Sequence, residues 1–402
     1  MREALEYLDS LQASGIRPGL GRMRAMLRSL RHPERTYPSI IVAGTNGKGS
    51  TSATIASVLQ ESGYRTGFYT SPHLVDIRER WKIGGSMIEP ELLQRSVEML
   101  RDAADRVAIT PTYFEALTIV AFIAFDLAGC EVAVLEVGMG GRLDATNVIR
   151  PIASVITPIG MDHMEYLGST LRKIAAEKAG IIHRGSIVLT SNDDPKILEV
   201  LRRRAAQFDN RFIHVMEEHD SVLAGEFQRR NTGLAVRTAR ELQTILPQIT
   251  DESIERGVAK TRWRGRLEKF EIGETNIWVD GCHNPHAVQA VIPFIMDSLA
   301  RPRLLVFGIM SDKAVMPVVE ELFPLFDHVI VTEPYPPRSM RTDVLLDAAR
   351  TLGVSATAEK QPDDAMRSAL ASDYRSIFVG GSLYLAGAAV GFLDAQHEER
   401  GQ

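Results

Sequence analysis

Seven consecutive residues hold the densest chemistry in this chain: Gly44-Thr45-Asn46-Gly47-Lys48-Gly49-Ser50. Glycines let successive backbone N–H groups turn toward one point, and a helix starting there adds its positive end. Lys48 has the reach for terminal phosphates, and the Ser50 hydroxyl suits the oxygen shell of a Mg²⁺ ion. A glycine-rich turn with a surface lysine is the plain alternative, so context decides. Before the string, Ser39-Ile40-Ile41-Val42-Ala43 is short, β-branched and bounded by Pro38 and Gly44, as a buried strand should be. After it, Ile55, Val58 and Leu59 share one helical face, and Gly63 closes the segment. Strand, glycine loop and helix together predict a nucleoside triphosphate site.

A second set of groups falls where strands should end. Glu136 closes the apolar run Val132-Ala133-Val134-Leu135, and an unpaired buried carboxylate is costly, so a partner is required. A metal cation, Arg142 or backbone amides could each supply it. Asp162 and His163 follow the run 153–157, at a place where a second Mg²⁺ could sit, although Mg²⁺ prefers oxygen to a histidine nitrogen. Lys178 lies in the last turn of a helical stretch that stops at Gly180, where the ordinary expectation is a solvated cation favouring the helix dipole. Asp280-Gly281-Cys282-His283-Asn284-Pro285-His286 invites a transition-metal reading, but no second ligand pair accompanies it, and Cys282 reads as a small buried residue.

The elements that must position these groups alternate. Strand-like runs cover 65–70, 132–137 and 153–157, with helical stretches over 113–127 and 171–179. Past Gly265-Arg266-Leu267-Glu268 the alternation restarts with runs at 276–279, 303–307, 328–332 and 376–379. The pattern predicts an α/β chain: a P-loop parallel-sheet ATPase domain over residues 1–266, then a smaller Rossmann-like α/β domain over 267–402. Its 402 residues suit two domains. A formal net charge of −5 gives no basic footprint for nucleic acid, and no apolar run reaches the roughly 20 residues of a membrane span. The acidic, amphipathic start does not read as a signal, and two cysteines cannot build a disulfide framework, so a cytoplasmic location is expected.

These motifs carry a resemblance. Gly44 to Ser50, Ser71-Pro72-His73-Leu74 and the stretch from Glu136 through Gly140-Gly141-Arg142-Leu143-Asp144-Ala145 to Asn147 resemble signatures of the folylpolyglutamate synthase/dihydrofolate synthase family. That family belongs to the Mur ligase superfamily of ATP-dependent amide ligases. Asp162 to Gly168, Glu177 to Ile181, Arg264 to Glu268, Asp280 to Pro285, Gly308 to Lys313 and Gly381 to Gly387 are similar to further family stretches, in family order.

The resemblance implies ATP and two Mg²⁺ ions as cofactors, with L-glutamate and dihydropteroate or folates as small-molecule substrates. It implies phosphate contacts from Thr45, Asn46, Gly47, Lys48, Gly49 and Ser50. A first Mg²⁺ would be held by Ser71 and Glu136, and a second by His163 and a carbamylated Lys178, which reverses the expectation of a solvated cation. Asn231, Arg266 and Asp280 would reach ATP from the far side of a cleft. Thr112, Tyr113, Phe114, Leu143, Asp144 and Ala145 would hold dihydropteroate, with the loop at Gly21 and Arg22 covering it. A monomer is expected, with no nucleic-acid or membrane partner.

Two positions depart from the family pattern. Phe227 stands where a histidine is usual, and Cys282 where an alanine is common. The rival readings are another Mur-type ligase acting on a cell-wall precursor, and a P-loop ATPase that makes no amide.

Overall fold

The computed structural model describes residues 1–15 and 17–400. The chain forms two compact units. The first holds Met1–Pro72, Arg78–Val222 and Arg229–Arg262; the second holds His73–Ile77, Leu223–Gln228 and the chain from Trp263 onward. Two short segments thus group with the second unit, an arrangement that a single cut near residue 266 does not describe. No helix among the described residues is long and apolar enough to cross a membrane.

The first unit is built on eight strands: β1 (Ser39–Ala43), β2 (Thr66–Tyr69), β3 (Trp81–Ile83), β4 (Ser86–Met87), β5 (Val132–Glu136), β6 (Ala153–Ile156), β7 (Ile187–Thr190) and β8 (Phe212–His214). Their order is β4-β3-β2-β5-β1-β6-β7-β8. All pairings are parallel except those of the β3–β4 hairpin, which extends one edge. β1 and β5 are buried at every position, which explains why they read as unbroken apolar runs rather than alternating ones. Strand β1 lies between β5 and β6, with Val42 opposite Glu136 and Ala43 opposite Ile156. The chain leaves β1 for β2 on one side and later crosses from β5 over β1 to β6 on the other, the kind of switch point where open α/β sheets bind ligands.

Helices cover this sheet. Lys48–Glu61 packs so closely on Asp251–Lys260 that a Cβ on Gly257 would lie 2.4 Å from Val58 Cα. The Ser57 hydroxyl donates to the Gly257 carbonyl at 2.7 Å across that contact. Helix Tyr113–Leu127 is apolar on all sides because Pro90–Val107 and Arg2–Ser10 cover it.

The second unit has six strands: β9 (Glu268–Ile272), β10 (Thr275–Val279), β11 (Arg303–Phe307), β12 (His328–Val331), β13 (Ala356–Ala358) and β14 (Ser376–Gly380). Their order is β13-β12-β11-β14-β10-β9, parallel except for the β9–β10 hairpin. One face buries Val288, Val291, Ile295, Val319 and Leu345, with Phe227 packed against them. The other buries Met366, Ala369, Leu385, Ala389 and Leu393, and takes in Leu74. Segments 223–228 and 73–77 therefore contribute to the two cores of this unit. The fold class is the α/β arrangement that the sequence predicts.

Candidate functional site

The phosphate loop leaves β1 at Gly44, where a Cβ would fall 1.8 Å from the Thr157 hydroxyl oxygen, so no larger residue fits. Gly47 has φ +83 and faces Asn231, whose Oδ1 would lie 2.4 Å from an added Cβ. Helix Lys48–Glu61 begins directly after it, and the amides of a first helical turn point out past the N-terminus. The backbone N–H groups of Thr45 and Asn46, however, both donate to the Pro158 carbonyl, at 3.0 and 3.3 Å. The Thr45 hydroxyl donates to Gly160 O and accepts from Gly160 N, each at 3.1 Å. These donors shape the loop, and the amides of the helix start lie beside them. Ser50 is buried in that first turn, beside Gly49.

Two lysines meet at this loop. Lys48 Nζ donates to the carbonyls of Gly44 and Thr45 at 3.2 and 3.1 Å. Lys178 Nζ donates to the same Gly44 carbonyl at 2.7 Å. Lys178 is 4% exposed, so the solvated cation expected from its position is corrected. Burial above all, then the neighbouring Lys48 charge, pushes its pKa down to about 7, although Asp162 and Asp144 pull the other way.

Helix Leu171–Lys178 is held in place by close backbone packing. Arg142 N donates to Glu177 O at 2.8 Å, and a Cβ on Gly180 would lie 2.4 Å from Arg142 Cα. Asn147 Nδ2 bridges the carbonyls of Arg142 and Gly180, both at 3.1 Å, while its Oδ1 meets His183 Nε2 at 2.7 Å.

Glu136 is buried at the end of β5. The Thr70 hydroxyl donates to its Oε2, and Ser71 N approaches the same oxygen at 3.4 Å. Arg142, left open above as its partner, pairs with Glu177 at 2.8 Å instead. His163 sits in a left-handed turn (φ 49) with its N–H on Asp162 Oδ1 at 2.9 Å. Among the described residues no three His, Cys, Asp or Glu side chains form a ready metal cage. Oxygen groups suited to Mg²⁺ are present in Glu136, Ser71 and Ser50.

The region expected to hold a pterin divides in two. Thr112 caps helix Tyr113–Leu127: its hydroxyl accepts from Glu115 N at 3.3 Å, and its N–H donates to Glu115 Oε2 at 2.8 Å. Arg22 anchors the preceding segment to this cap, 2.9 Å from Glu115. Asp144 is buried, accepting from Met139 N and from the Thr146 N–H and hydroxyl. Its carboxyl is raised above the usual range by that burial. Ala145 is also buried, whereas Leu143 is 39% exposed and Tyr113 and Phe114 are half-buried. Leu143, Tyr113 and Phe114 thus keep accessible side chains.

In the second unit, Asp280 is buried between the start of β9 and the end of β10. It accepts from Leu267 N at 3.0 Å and from Cys282 N at 2.8 Å, and burial raises its carboxyl above the ordinary value. This grip fixes the segment that carries Arg266, whose guanidinium lies so near Gly281 that a Cβ there would be 2.6 Å from Nη1. Cys282 is buried in the core, as expected of a small residue. Asn231 belongs to the first unit, against Gly47, and not to the second with Arg266 and Asp280.

Comparison with known proteins agrees with this geometry. The Mur ligase middle domain profile matches residues 42–245, and the Mur ligase glutamate ligase domain profile matches residues 265–383. The dihydrofolate synthase/folylpolyglutamate synthase of Bacillus subtilis (strain 168) is 32% identical, covering 95% of this chain and 96% of the relative. The chain belongs to the folylpolyglutamate synthase/dihydrofolate synthase family. Its members are ATP-dependent ligases. Mycobacterium tuberculosis folylpolyglutamate synthase, solved in complex with ADP and AMPPCP, matches this family member with a TM-score of 0.87 at 32% identity, covering 98% of both chains. E. coli FolC, solved with DHPP and ADP, matches with a TM-score of 0.85 at 26% identity and 98% of both.

For a member of this family the Phe227 departure has a local explanation. Its ring packs on the second unit's core, and a Cβ on Gly225 would meet both Phe227 Cε1 and Leu267 Cδ1. The site also uses residues that no motif singled out: Thr157, Glu115 and Asn192. Only Glu115, three residues after Thr112, left a signal, the spacing of a capping box.

Proposed function

We propose that this chain joins L-glutamate by an amide bond to dihydropteroate, to reduced folates, or to both, with cleavage of ATP to ADP and phosphate. The convergence of Lys48 and buried Lys178 on the Gly44 carbonyl carries this reading, since a plain P-loop hydrolase has no use for the second lysine. A carboxylate is a poor electrophile. Transfer of the γ-phosphoryl group to it gives an acyl phosphate and ADP; the glutamate amine then attacks the acyl carbon, loses its proton, and phosphate leaves. Two anions must approach in the first step, which assigns Lys48 to offset their repulsion. Arg266 and Asp280 are proposed as further nucleotide contacts. Tyr113, Phe114 and Leu143 are proposed to touch the acceptor, with Thr112, Asp144 and Ala145 holding their shape.

Bound Mg²⁺ would screen the phosphate oxygens. Ser71, Glu136 and Ser50 offer the oxygen ligands it prefers, but a His163 nitrogen and an ammonium at Lys178 do not. We therefore propose that Lys178 works as a carbamate: its free amine adds CO₂, releases a proton, and leaves a carboxylate-like anion. A lysine with a pKa of about 7 holds a large share of the amine form that this addition needs near neutral pH, where an ordinary lysine holds almost none. Both cysteines are buried and unpaired, which suits the cytoplasm, and we propose a monomer.

The deciding experiment is ADP release with product mass, from Mg-ATP and L-glutamate, with dihydropteroate and tetrahydrofolate as separate acceptors. Product heavier by one glutamate identifies each acceptor. ATP turnover without any amide overturns the ligase reading.

A further inference from the structure

The phosphate loop is braced by a residue that lies outside every motif. The segment after β6, Thr157-Pro158-Ile159-Gly160, touches the loop from three sides. Pro158 O accepts from Thr45 N and Asn46 N. Gly160 pairs with the Thr45 hydroxyl through both its N–H and its carbonyl. The Thr157 hydroxyl donates to Asn46 O at 2.7 Å. Thr157 N still donates to Ala43 O at 2.8 Å, and beyond that bond the segment has left the sheet.

Asn192, just beyond the end of β7, holds it there. It is 3% exposed. Its Oδ1 accepts from Ile159 N at 2.8 Å, and its Nδ2 donates to Thr157 O at 3.0 Å and Thr190 Oγ1 at 2.7 Å. The Thr190 hydroxyl in turn donates to Ile156 O at 2.8 Å. A side-chain amide has donors and an acceptor on one planar group, so it can grip an N–H and a carbonyl of the same segment together. A carboxylate would lack the donors, and an alkyl chain would orphan both buried groups.

We propose that Asn192 is a positioning residue for nucleotide binding: by fixing segment 157–160 it sets the geometry of the loop that receives the phosphates. The inference rests on the reading of that loop as a nucleotide site.

The test compares Mg-ADP affinity, and KM for ATP and for L-glutamate, in the full-length wild type, Asn192→Ala and a control. Asn210→Ala is the control: it removes a comparable amide at the opposite end of the same strands, where Nδ2 donates to His183 O and Oδ1 accepts from Gly185 N. Asn192→Ala is expected to weaken Mg-ADP binding and raise KM for ATP at least about tenfold, with KM for glutamate unchanged. Asn210→Ala is expected to lower the melting temperature without moving either nucleotide value. Mg-ADP binding in Asn192→Ala within twofold of wild type overturns the proposal, as does an equal nucleotide effect from Asn210→Ala. Should Asn192→Ala fail to fold, Thr45→Val cuts the same brace from the loop side, and unchanged Mg-ADP affinity there overturns it too. A wild type that binds no Mg-ADP removes the nucleotide reading itself, and this inference with it.

Discussion

The ammonium groups of Lys48 and Lys178 donate to one oxygen, the carbonyl of Gly44, at 3.2 and 2.7 Å. One carbonyl can accept two hydrogen bonds, but the two positive charges raise each other's energy. The arrangement is relieved when Lys48 pairs with phosphate or when Lys178 loses its charge. Both changes belong to the proposed reaction, so the loop is electrostatically prepared for an anion.

The first prediction concerns pH. The unfolded chain keeps the Lys178 proton up to its ordinary value of 10.5, whereas the folded chain releases it near 7. Between those values the unfolded state binds more protons, so stability rises with pH, by about 1.4 kcal/mol per unit from this group. Lys178→Met is therefore expected to be more stable than wild type below pH 7, with the gain shrinking toward pH 10.5. Urea unfolding in CO₂-free, nucleotide-free buffer measures it. A difference that stays constant across the window contradicts the buried-amine assignment.

Ligation is expected to depend on both lysines in different ways. Lys48→Ala should lower kcat at least about 100-fold while circular dichroism stays unchanged. Lys178→Ala should be inactive yet recover part of its rate with added acetate or formate, because a small anion can stand in for the carbamate. Initial rates of ADP release give both numbers; indifference of Lys178→Ala to added carboxylates counts against the carbamate.

Much of this was legible before the structure, for physical reasons that differ from residue to residue. Strand β1, strand β11 and helix Tyr113–Leu127 stand at the boundaries that the sequence predicts, because each is an apolar run stopped by glycine, proline or a capping threonine. The hairpin β3–β4 and the pairing of β9 were not legible: β3 and β4 are only three and two residues long, and β9 is an edge strand with one buried position. Within the site, the glycine loop announced itself, but the commitment of Thr45 did not, since its hydroxyl's partner Gly160 lies 115 residues away. Lys178 was misplaced by position alone. A last-turn lysine is ordinarily exposed, and only the packing of Gly141 and Gly180 against its helix turns it inward.

The second unit rests on an unusual buried cation, and its loss should be felt in stability alone. Arg303, 2% exposed at the start of β11, donates through Nε to Leu325 O at 2.6 Å and through Nη1 to Ile295 O at 2.7 Å and Leu299 O at 3.1 Å. It thereby closes the carboxyl end of helix Pro285–Ser298 and the turn before β12. Arg303→Met fills the space but removes the donor to Leu299 O, while Leu325 O keeps Arg301 Nη2 at 3.1 Å and Ile295 O keeps Leu299 N at 3.2 Å, so the expected cost is about 1–3 kcal/mol. Chemical denaturation should show the fall, with KM values for ATP and acceptor unchanged at low temperature. A variant as stable as wild type would mean that water satisfies that carbonyl.

Neighbouring residues in the acceptor region should separate binding from folding. Leu143 is accessible and makes no structural hydrogen bond through its side chain, so Leu143→Ala is expected to raise KM for the pterin acceptor several-fold with little change in melting temperature. Asp144, one residue on, is buried and accepts from Met139 N and twice from Thr146. Asp144→Ala leaves those donors unsatisfied and is expected to cost roughly 1–3 kcal/mol, loosening the loop that also seats helix Leu171–Lys178. Its kinetic defect should accordingly spread to ATP as well as to the acceptor. Should Leu143→Ala leave acceptor KM untouched while Asp144→Ala alters it without destabilising the fold, the assignment of contact to Leu143 and support to Asp144 must be exchanged.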